Sequence, residues 1–287
     1  VRVATNQMRR EAAKRKLVRQ QERRVEQAKR RQRVAIITSV GVVVLVVVGV
    51  VLFTTLPSGG TPAAAPAPTD PAASAAPTTD AATPARALGD CAFTATPDQP
   101  ASKPAPLPTL TTASTQGTVA ANLQTDRGPI PLTLERSTGP CAVENFISLT
   151  NAGYYNGSPC HRLTTGEGLK VLQCGDPTGL GTGGPGYTIN DEPPTGLATA
   201  PGQSGVVVYP RGTVAMAKTS APDSGGSQFF LVYQDSVLPP DYTVFGKIGD
   251  QGLATLDAIA AAGSDSSNGD GDGKPVTPVT IQTATIG

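Results

Sequence analysis

Between Val34 and Leu56 the chain carries no charged residue, and Ala35 to Phe53 is almost continuously apolar and rich in valine. A valine-rich run suits a buried strand, but such strands are only about 4–8 residues long, so length predicts a helix. A membrane-spanning helix needs about 20 apolar residues, which this stretch supplies. A cleaved signal peptide is the competing reading. The basic region before the run is too long for one, and the run exceeds the usual core of about 7–15 residues. We therefore expect a retained transmembrane helix at 34–56.

The pattern then lapses. Pro57 to Ala85 holds seven prolines among alanines and cannot build a core. It reads as a semi-rigid spacer that reaches about 90 Å at ~3.1 Å per residue when fully extended. Pro97 to Pro108 has the same character, so 57–116 is expected to be an Ala/Pro-rich linker with some ordering near 88–96. From Gly117 periodicity returns. Val119 to Thr125 alternates, Asp126-Arg127-Gly128 turns, and Ile130 to Leu134 alternates again, which predicts a hairpin. Pro140 to Ala152 carries Val143, Phe146, Ile147 and Leu149 at helical spacing, with a proline in the first turn and Gly153 as a stop. Short strands are predicted at 169–173, 205–208, 212–217, 228–233, 243–248 and 276–284. A second helix, Gly252 to Ala262, is expected to start after Asp250 and to stop at Gly263. Many short strands with Gly- and Pro-rich turns and two isolated helices predict, for 117–287, an all-β antiparallel barrel with helical caps.

Charge sharpens the division. The formal net charge is +1, but residues 1–33 hold 13 of the 23 Lys and Arg against three acids, Glu11, Glu22 and Glu26. The positive-inside rule then places the 1–33 tail in the cytoplasm and the C-terminal domain outside. The tail is rich in helix formers and has only a thin apolar stripe (Met8, Ala12, Leu17, Val25), so it reads as a solvated juxtamembrane helix. Anionic lipid is a partner open to it. Nucleic acid is not expected, because no aromatic residue interleaves the basic ones. The chain opens on Val1, and an alternative initiation codon near Val3 or Met8 is one reading of that.

The four cysteines, Cys91, Cys141, Cys160 and Cys174, all follow the span, and an even count outside a membrane predicts two disulfides. Three connectivities are open. We favour Cys160–Cys174, which a hairpin can bring together, and Cys91–Cys141, which ties the incoming segment to the first helix. No CxxC spacing or second histidine supports a metal site, and no cofactor is expected.

Three motifs attract attention and are set aside. Gly181 to Gly186 matches GxGxxG, but Pro185 and the Tyr187-Thr188-Ile189 that follows predict a loop and not the opening of a helix. Asn268 to Gly273 mimics half a calcium loop, yet its twelfth position is Val279 and no helices flank it, so a turn before the last strand is expected. Asp223-Ser224-Gly225-Gly226 resembles the nucleophile segment of chymotrypsin-like proteases, and His161 with Asp191 completes a triad on paper. The interval from His161 to Ser224 is too short for that family's strands. A serine protease is kept as a remote alternative.

The same segments fit another family in order. Cys160-His161-Arg162, Leu172-Gln173-Cys174-Gly175-Asp176, Gly181 to Tyr187 and Asp191-Glu192 resemble the Phe-His-Arg, Gln-Gly-Gly-Asp, Gly-Thr-Gly-Gly and Asp-Glu series of the cyclophilins. Arg211 to Ala217, Gly226 to Phe230 and Tyr242 to Lys247 continue the series. The resemblance runs from about Gly117 to Ile286. The placing of Cys141, Cys160 and Cys174 within it resembles the membrane-anchored cyclophilins of actinobacteria. It implies a closed eight-stranded barrel with two helices and peptidyl-prolyl cis-trans isomerase activity on proline-containing polypeptides.

Rotation about an X–Pro bond breaks amide resonance against a barrier of ~18–20 kcal/mol and breaks no covalent bond. A donor to the prolyl nitrogen is what the twisted state needs. By resemblance Arg162 is that donor and Gln173 holds the guanidinium or the substrate carbonyl. The resemblance implies that Met216, Phe230 and Leu238 line the proline pocket with Val171 nearby. It further implies that Ala217 and Lys218 offer backbone and that Gln228 and Tyr242 sit at the rim. His161 is expected to be structural. The sequence departs from the family pattern in places. The stretch Leu163 to Lys170 is three residues longer, and Lys170 stands near an expected Phe. Cys174 replaces a Gly, Tyr242 replaces a His, and Val237 replaces a Trp, which implies weak cyclosporin binding. A non-catalytic proline-binding or chaperone module is the alternative.

Overall fold

The computed structural model describes residues 86–287. The expected tail, transmembrane helix and spacer up to residue 85 lie outside the described residues. Among the described residues no helix is long and apolar enough to cross a membrane.

The elements run in the order β1 (Phe93–Ala95), β2 (Thr118–Thr125), β3 (Gly128–Glu135), α1 (Pro140–Asn151), β4 (Ser158–Pro159), β5 (Arg162–Thr164), β6 (Val171–Cys174), β7 (Tyr187–Ile189), β8 (Val207–Tyr209), β9 (Thr213–Met216), β10 (Phe229–Val232), β11 (Ser236–Leu238), β12 (Val244–Ile248), α2 (Asp250–Ala261), β13 (Asp272–Gly273) and β14 (Thr280–Ile286). The expected hairpin is β2–β3, paired from Thr118 opposite Glu135 to Thr125 opposite Gly128. The second helix begins two residues earlier than the expected Gly252, with Gly249 as cap and Asp250 in the first turn, where a negative charge suits the helix dipole.

Ten of these strands form one curled antiparallel sheet in the order β13-β5-β6-β10-β9-β12-β3-β2-β14-β4. β4 ends that order and β5 stands next to its other end, although only Cys160 and His161 separate them in the chain. β4 bonds to β14 and β5 bonds to β6. The pairs β1–β7 and β8–β11 form two smaller sheets.

The inner face of the sheet and both helices enclose the main core. Leu123, Ile130, Leu134, Leu172, Phe229 and Phe245 are buried there. Phe146 of α1 stacks on Tyr155 at 5.1 Å and meets Phe229 edge-on at 5.4 Å. Burying a side chain of this size contributes about 1.5–3 kcal/mol. On α2, Leu256 and Ile259 face inward, and Gly252 is needed for the approach. A Cβ there would lie 2.7 Å from Ile248 and 3.0 Å from Ile130.

α1 starts at Pro140 behind Gly139, which has no side chain to cap it. Glu192 does so from elsewhere in the chain: its carboxylate accepts the N–H groups of Cys141 and Ala142, both at 3.0 Å. Burial pushes the Glu192 carboxyl above its ordinary range against the pull of those two donors.

The structure joins Cys91 to Cys141 and Cys160 to Cys174. The first bond pins the segment ahead of β2 to α1. β1 pairs with β7, and Ala92 exchanges hydrogen bonds with Asn190. Further on, the Lys103 ammonium donates to the carbonyls of Gly153 and Asn156 at 2.8 and 2.7 Å. Pro97 to Pro108, linker-like in composition, therefore crosses the body as a bonded strap.

Candidate active site

The site is a cross-strand row. Arg162 on β5 lies opposite Gln173 on β6, Gln173 opposite Phe230 on β10, and Phe230 opposite Ala215 on β9. Directly opposed residues of antiparallel strands share a face, and the side chain two positions along shares it too. Val171 and Ala217 therefore join Arg162, Gln173 and Phe230 on the outer face. The intervening residues, among them Leu163, Leu172, Cys174, Phe229 and Met216, point into the core.

Met216 is accordingly corrected. Sequence resemblance puts it in the proline pocket, but it lies opposite Phe229 and is 4 % exposed within the main core. Its neighbours Ala215 and Ala217 take the outer face. The outer apolar cluster gathers Val171, Phe230 and Tyr209 with the partly buried Leu238, Tyr242 and Ala217. Phe230 meets the Tyr242 ring edge-on at 5.6 Å, and Tyr209 lies 6.3–6.4 Å from both. Sequence reading missed Tyr209. Its hydroxyl donates to the Pro239 carbonyl at 3.0 Å and accepts the Tyr242 amide at 3.2 Å, which fixes the rim. Burial pushes that phenol up to about 12. Lys170, near the place of an expected Phe, turns its ammonium to the Thr165 carbonyl at 2.6 Å.

A polar chain runs beside this cluster. Arg162 gives Nε–H to Asp272 Oδ1 at 2.8 Å, Nη2–H to Oδ2 at 2.6 Å and Nη1–H to Gln173 Oε1 at 3.3 Å. Gln173 Nε2 donates to Gln228 Oε1 at 2.9 Å, and Gln228 Nε2 donates to the carbonyls of Gly181 and Gly183 at 3.0 and 2.9 Å. The hydrogen bond to Asp272 raises the Arg162 pKa against the opposing effect of burial. The same bond holds the Asp272 carboxyl below its usual range. Three of the five guanidinium N–H groups are thus engaged among the described residues, leaving one on Nη1 and one on Nη2.

The glycine-rich loop is a loop, as its prolines require. Asp176 organises it by accepting the N–H groups of Thr178, Gly181 and Gly183 at 2.8–3.0 Å. Gly175 leads into it with φ +93°, and a Cβ there would lie 2.2 Å from the Ser227 carbonyl oxygen. A cavity of about 640 Å³ opens between this loop, Gln173, Gln228 and the Ala217–Thr219 segment, and Thr96, Gln99 and Pro100 of the strap form part of its wall. Lys218 borders it with its ammonium paired to Asp191, so its backbone is the part left for a ligand.

The protease triad is not assembled. Ser224 Oγ donates to the Ala221 carbonyl at 2.7 Å and Asp191 serves Lys218 and the Asp223 amide, while both ring nitrogens of His161 have no partner among the described residues. Burial lowers the His161 pKa, as for a neutral packed ring. Asn268 to Gly273 is the expected turn, but its last acid, Asp272, belongs to the site.

The match to known proteins covers this framework. The family model described as cyclophilin type peptidyl-prolyl cis-trans isomerase/CLD matches residues 120–286. A protein of Mycobacterium tuberculosis (strain ATCC 25618 / H37Rv), named probable peptidyl-prolyl cis-trans isomerase B, is 48% identical over 202 residues, 69% of this chain and 64% of its own length. Its namesake in Mycobacterium leprae (strain TN) is 50% identical over 203 residues, 69% of this chain and 68% of that one. The chain thus spans about two thirds of these relatives. A crystal structure of a Cryptosporidium parvum cyclophilin type isomerase is 30% identical, covers 60% of this chain and 98% of that chain, and superposes with a TM-score of 0.46. The ordered motifs that build the row from Arg162 to Ala215 all lie within the matched span, and the chain belongs to the cyclophilin-type peptidyl-prolyl cis-trans isomerase family.

Proposed function

We propose that this chain catalyses cis-trans isomerisation of X–Pro bonds in polypeptides, and that it does so on the outer side of a membrane that holds it by the 34–56 helix. The cross-strand row carries the reading, because it sets a guanidinium with two unengaged N–H groups beside an apolar aromatic cluster on one face. The cluster formed by Val171, Phe230, Leu238 and Tyr242 seats the proline ring. Arg162 donates to the prolyl nitrogen as its lone pair is released. That bond is stronger in the twisted state than in the planar one, which is the condition for acceleration. Gln173 and Gln228 hold the guanidinium and the rim, and the backbone at Ala217 and Lys218 receives the extended peptide. The same reading closes the curled sheet into an eight-stranded barrel, supported by residues 158–164, which bond to β14 at one end and to β6 at the other. The uncharged 34–56 run, the basic tail and two disulfides support the location.

Arg162→Ala in the full chain is expected to lower kcat/KM about a hundredfold or more in a proline-limited peptide assay, with the thermal unfolding transition retained. Wild-type activity in that variant would overturn the assignment. One observation favours a second reading, a proline-binding module without turnover: Lys170 stands where the family pattern expects an aromatic wall. The two readings part in the same assay, because a binder retains affinity for a proline peptide and shows no acceleration at all.

A further inference from the structure

We propose that Asp272 is a positioning residue for Arg162, fixing the plane of the guanidinium before substrate arrives. The inference rests on the isomerase reading above. The Asp272 carboxylate meets the Nε and Nη2 edge of Arg162 in two parallel bonds of 2.8 and 2.6 Å. Such a fork fixes direction as well as distance, and bonds between charged partners are roughly twice as strong as neutral ones. Gln173 alone, at 3.3 Å from Nη1, leaves the group free to turn about its last bonds. An arginine side chain has many rotamers, so an unclamped donor spends much of its time aimed elsewhere.

Asp272 is itself placed mainly by backbone contacts; its carboxylate adds one long bond within the turn, accepting Asn268 Nδ2–H at 3.3 Å. β13 pairs Asp272 with Thr164 and Gly273 with Leu163, on the strand that carries Arg162. The Thr165 amide donates to the Gly271 carbonyl at 2.6 Å, and the turn closes through Asn268 N–H to the Asp272 carbonyl at 2.9 Å. At Gly271 a Cβ would lie 2.7 Å from the Gly166 nitrogen, so the turn sits tightly on residues 165–166. The carboxylate is thus delivered to the guanidinium by a docked turn, and removing its charge leaves the docking bonds in place. The charge it brings partly offsets that of Arg162. An arrangement that accepts this offset serves orientation, and that makes a distinction to test. If orientation dominates, removing the carboxylate slows turnover; if the offset dominates, removal speeds it.

The test uses the full chain with Asp272→Asn, which keeps shape and one acceptor, and Asp272→Ala. Expected for Asp272→Asn is a fall in kcat of about tenfold with KM within twofold, and for Asp272→Ala a larger fall, since misplacing a catalytic group by about 1 Å can cost a hundredfold. In an arginine-labelled sample, the Arg162 Nε–H resonance, assigned by its loss in Arg162→Lys, is expected to be shifted and slow to exchange in wild type and ordinary in Asp272→Asn. Unchanged or raised kcat in a folded Asp272→Asn overturns the proposal, as does a rise in KM alone or an unaltered Nε–H signal. If Asp272→Ala fails to fold, the Asn variant decides. A wild-type chain without turnover would sink the isomerase reading itself, whatever the Asp272 variants do.

Discussion

Asp176 has no exposed surface, yet it accepts hydrogen bonds from Thr178, Gly181 and Gly183 and fixes the loop whose carbonyls hold Gln228. Burial alone would raise its pKa. The N–H groups of Gly183, Thr178 and Gly181 and the Thr178 hydroxyl outweigh it, so the carboxyl titrates below its usual value. A depressed acid stabilises the fold fully above its unfolded pKa of about 3.9 and loses that contribution as pH falls through the folded value. Asp176→Asn should therefore cost about 2–3 kcal/mol at neutral pH, since an amide nitrogen would face those donors. The gap in unfolding temperature between variant and wild type should close below about pH 4. A gap constant with pH would remove Asp176 from this role. At this scale the sequence was partly legible. Arg162, Gln173 and Phe230, which the structure brings onto one face, stand out in the sequence because their motifs keep a fixed order. Met216 was misplaced because its motif does not state which face it takes, a matter settled by its register opposite Phe229. From the sequence alone Asp272 is part of a turn. What makes it a partner of Arg162 is the pairing of β13 with β5, across more than a hundred residues.

At the scale of elements, the β5–β6 pair is short, with registered partners only at Arg162–Gln173 and Leu163–Leu172. The Cys160–Cys174 bond closes it one residue beyond Gln173 and two before Arg162. Both cysteines are buried on the inner face, while the side chains of Arg162 and Gln173 point outward. The disulfide thus braces the site from behind. Replacing both cysteines with serine is expected to cost about 3 kcal/mol by the chain-entropy argument for a loop of this length. Because the loss falls on the strand pair that aligns Arg162 with Gln173, kcat should fall more than the affinity for a proline peptide. Denaturant unfolding and the peptide assay check both, and reductant should reproduce the effect in wild type. Undiminished activity after reduction, with the bond shown open by thiol counting, would mean that the sheet alone sets the register. The sequence favours Cys160–Cys174 because a hairpin can bring the two together, whereas β4, β5 and β13 are too short to show a period.

At the scale of the molecule, composition misreads the stretch before β2. Pro97 to Pro108 offers no periodicity, and its hold on the body comes from scattered partners. Thr96 and Ser102 donate their amides to Gly186 and Gly184, Ser102 Oγ meets the Tyr154 hydroxyl, and Lys103 reaches Gly153. None of these contacts is a sequence pattern, so none was visible beforehand. β1 adds only three paired residues, and so small a ladder is marginal without a further tie. Cys91–Cys141 supplies the tie across 50 residues, a closure that contributes about 4 kcal/mol in the chain-entropy argument. The strap should therefore open as a unit when that bond is removed, while the sheet stays closed. In Cys91→Ala/Cys141→Ala, amide exchange at Thr96, Ser102 and Ala113 should accelerate at least about tenfold, with β2 and β3 keeping their protection. Retained protection at those three amides would mean that scattered polar contacts suffice to hold the strap. Because Thr96, Gln99 and Pro100 wall the cavity beside Gln173 and Gln228, the same variant should bind long proline peptides more weakly than wild type and short ones equally well. That split separates a wall that touches the flanking chain from one that only supports the fold, which would weaken both alike.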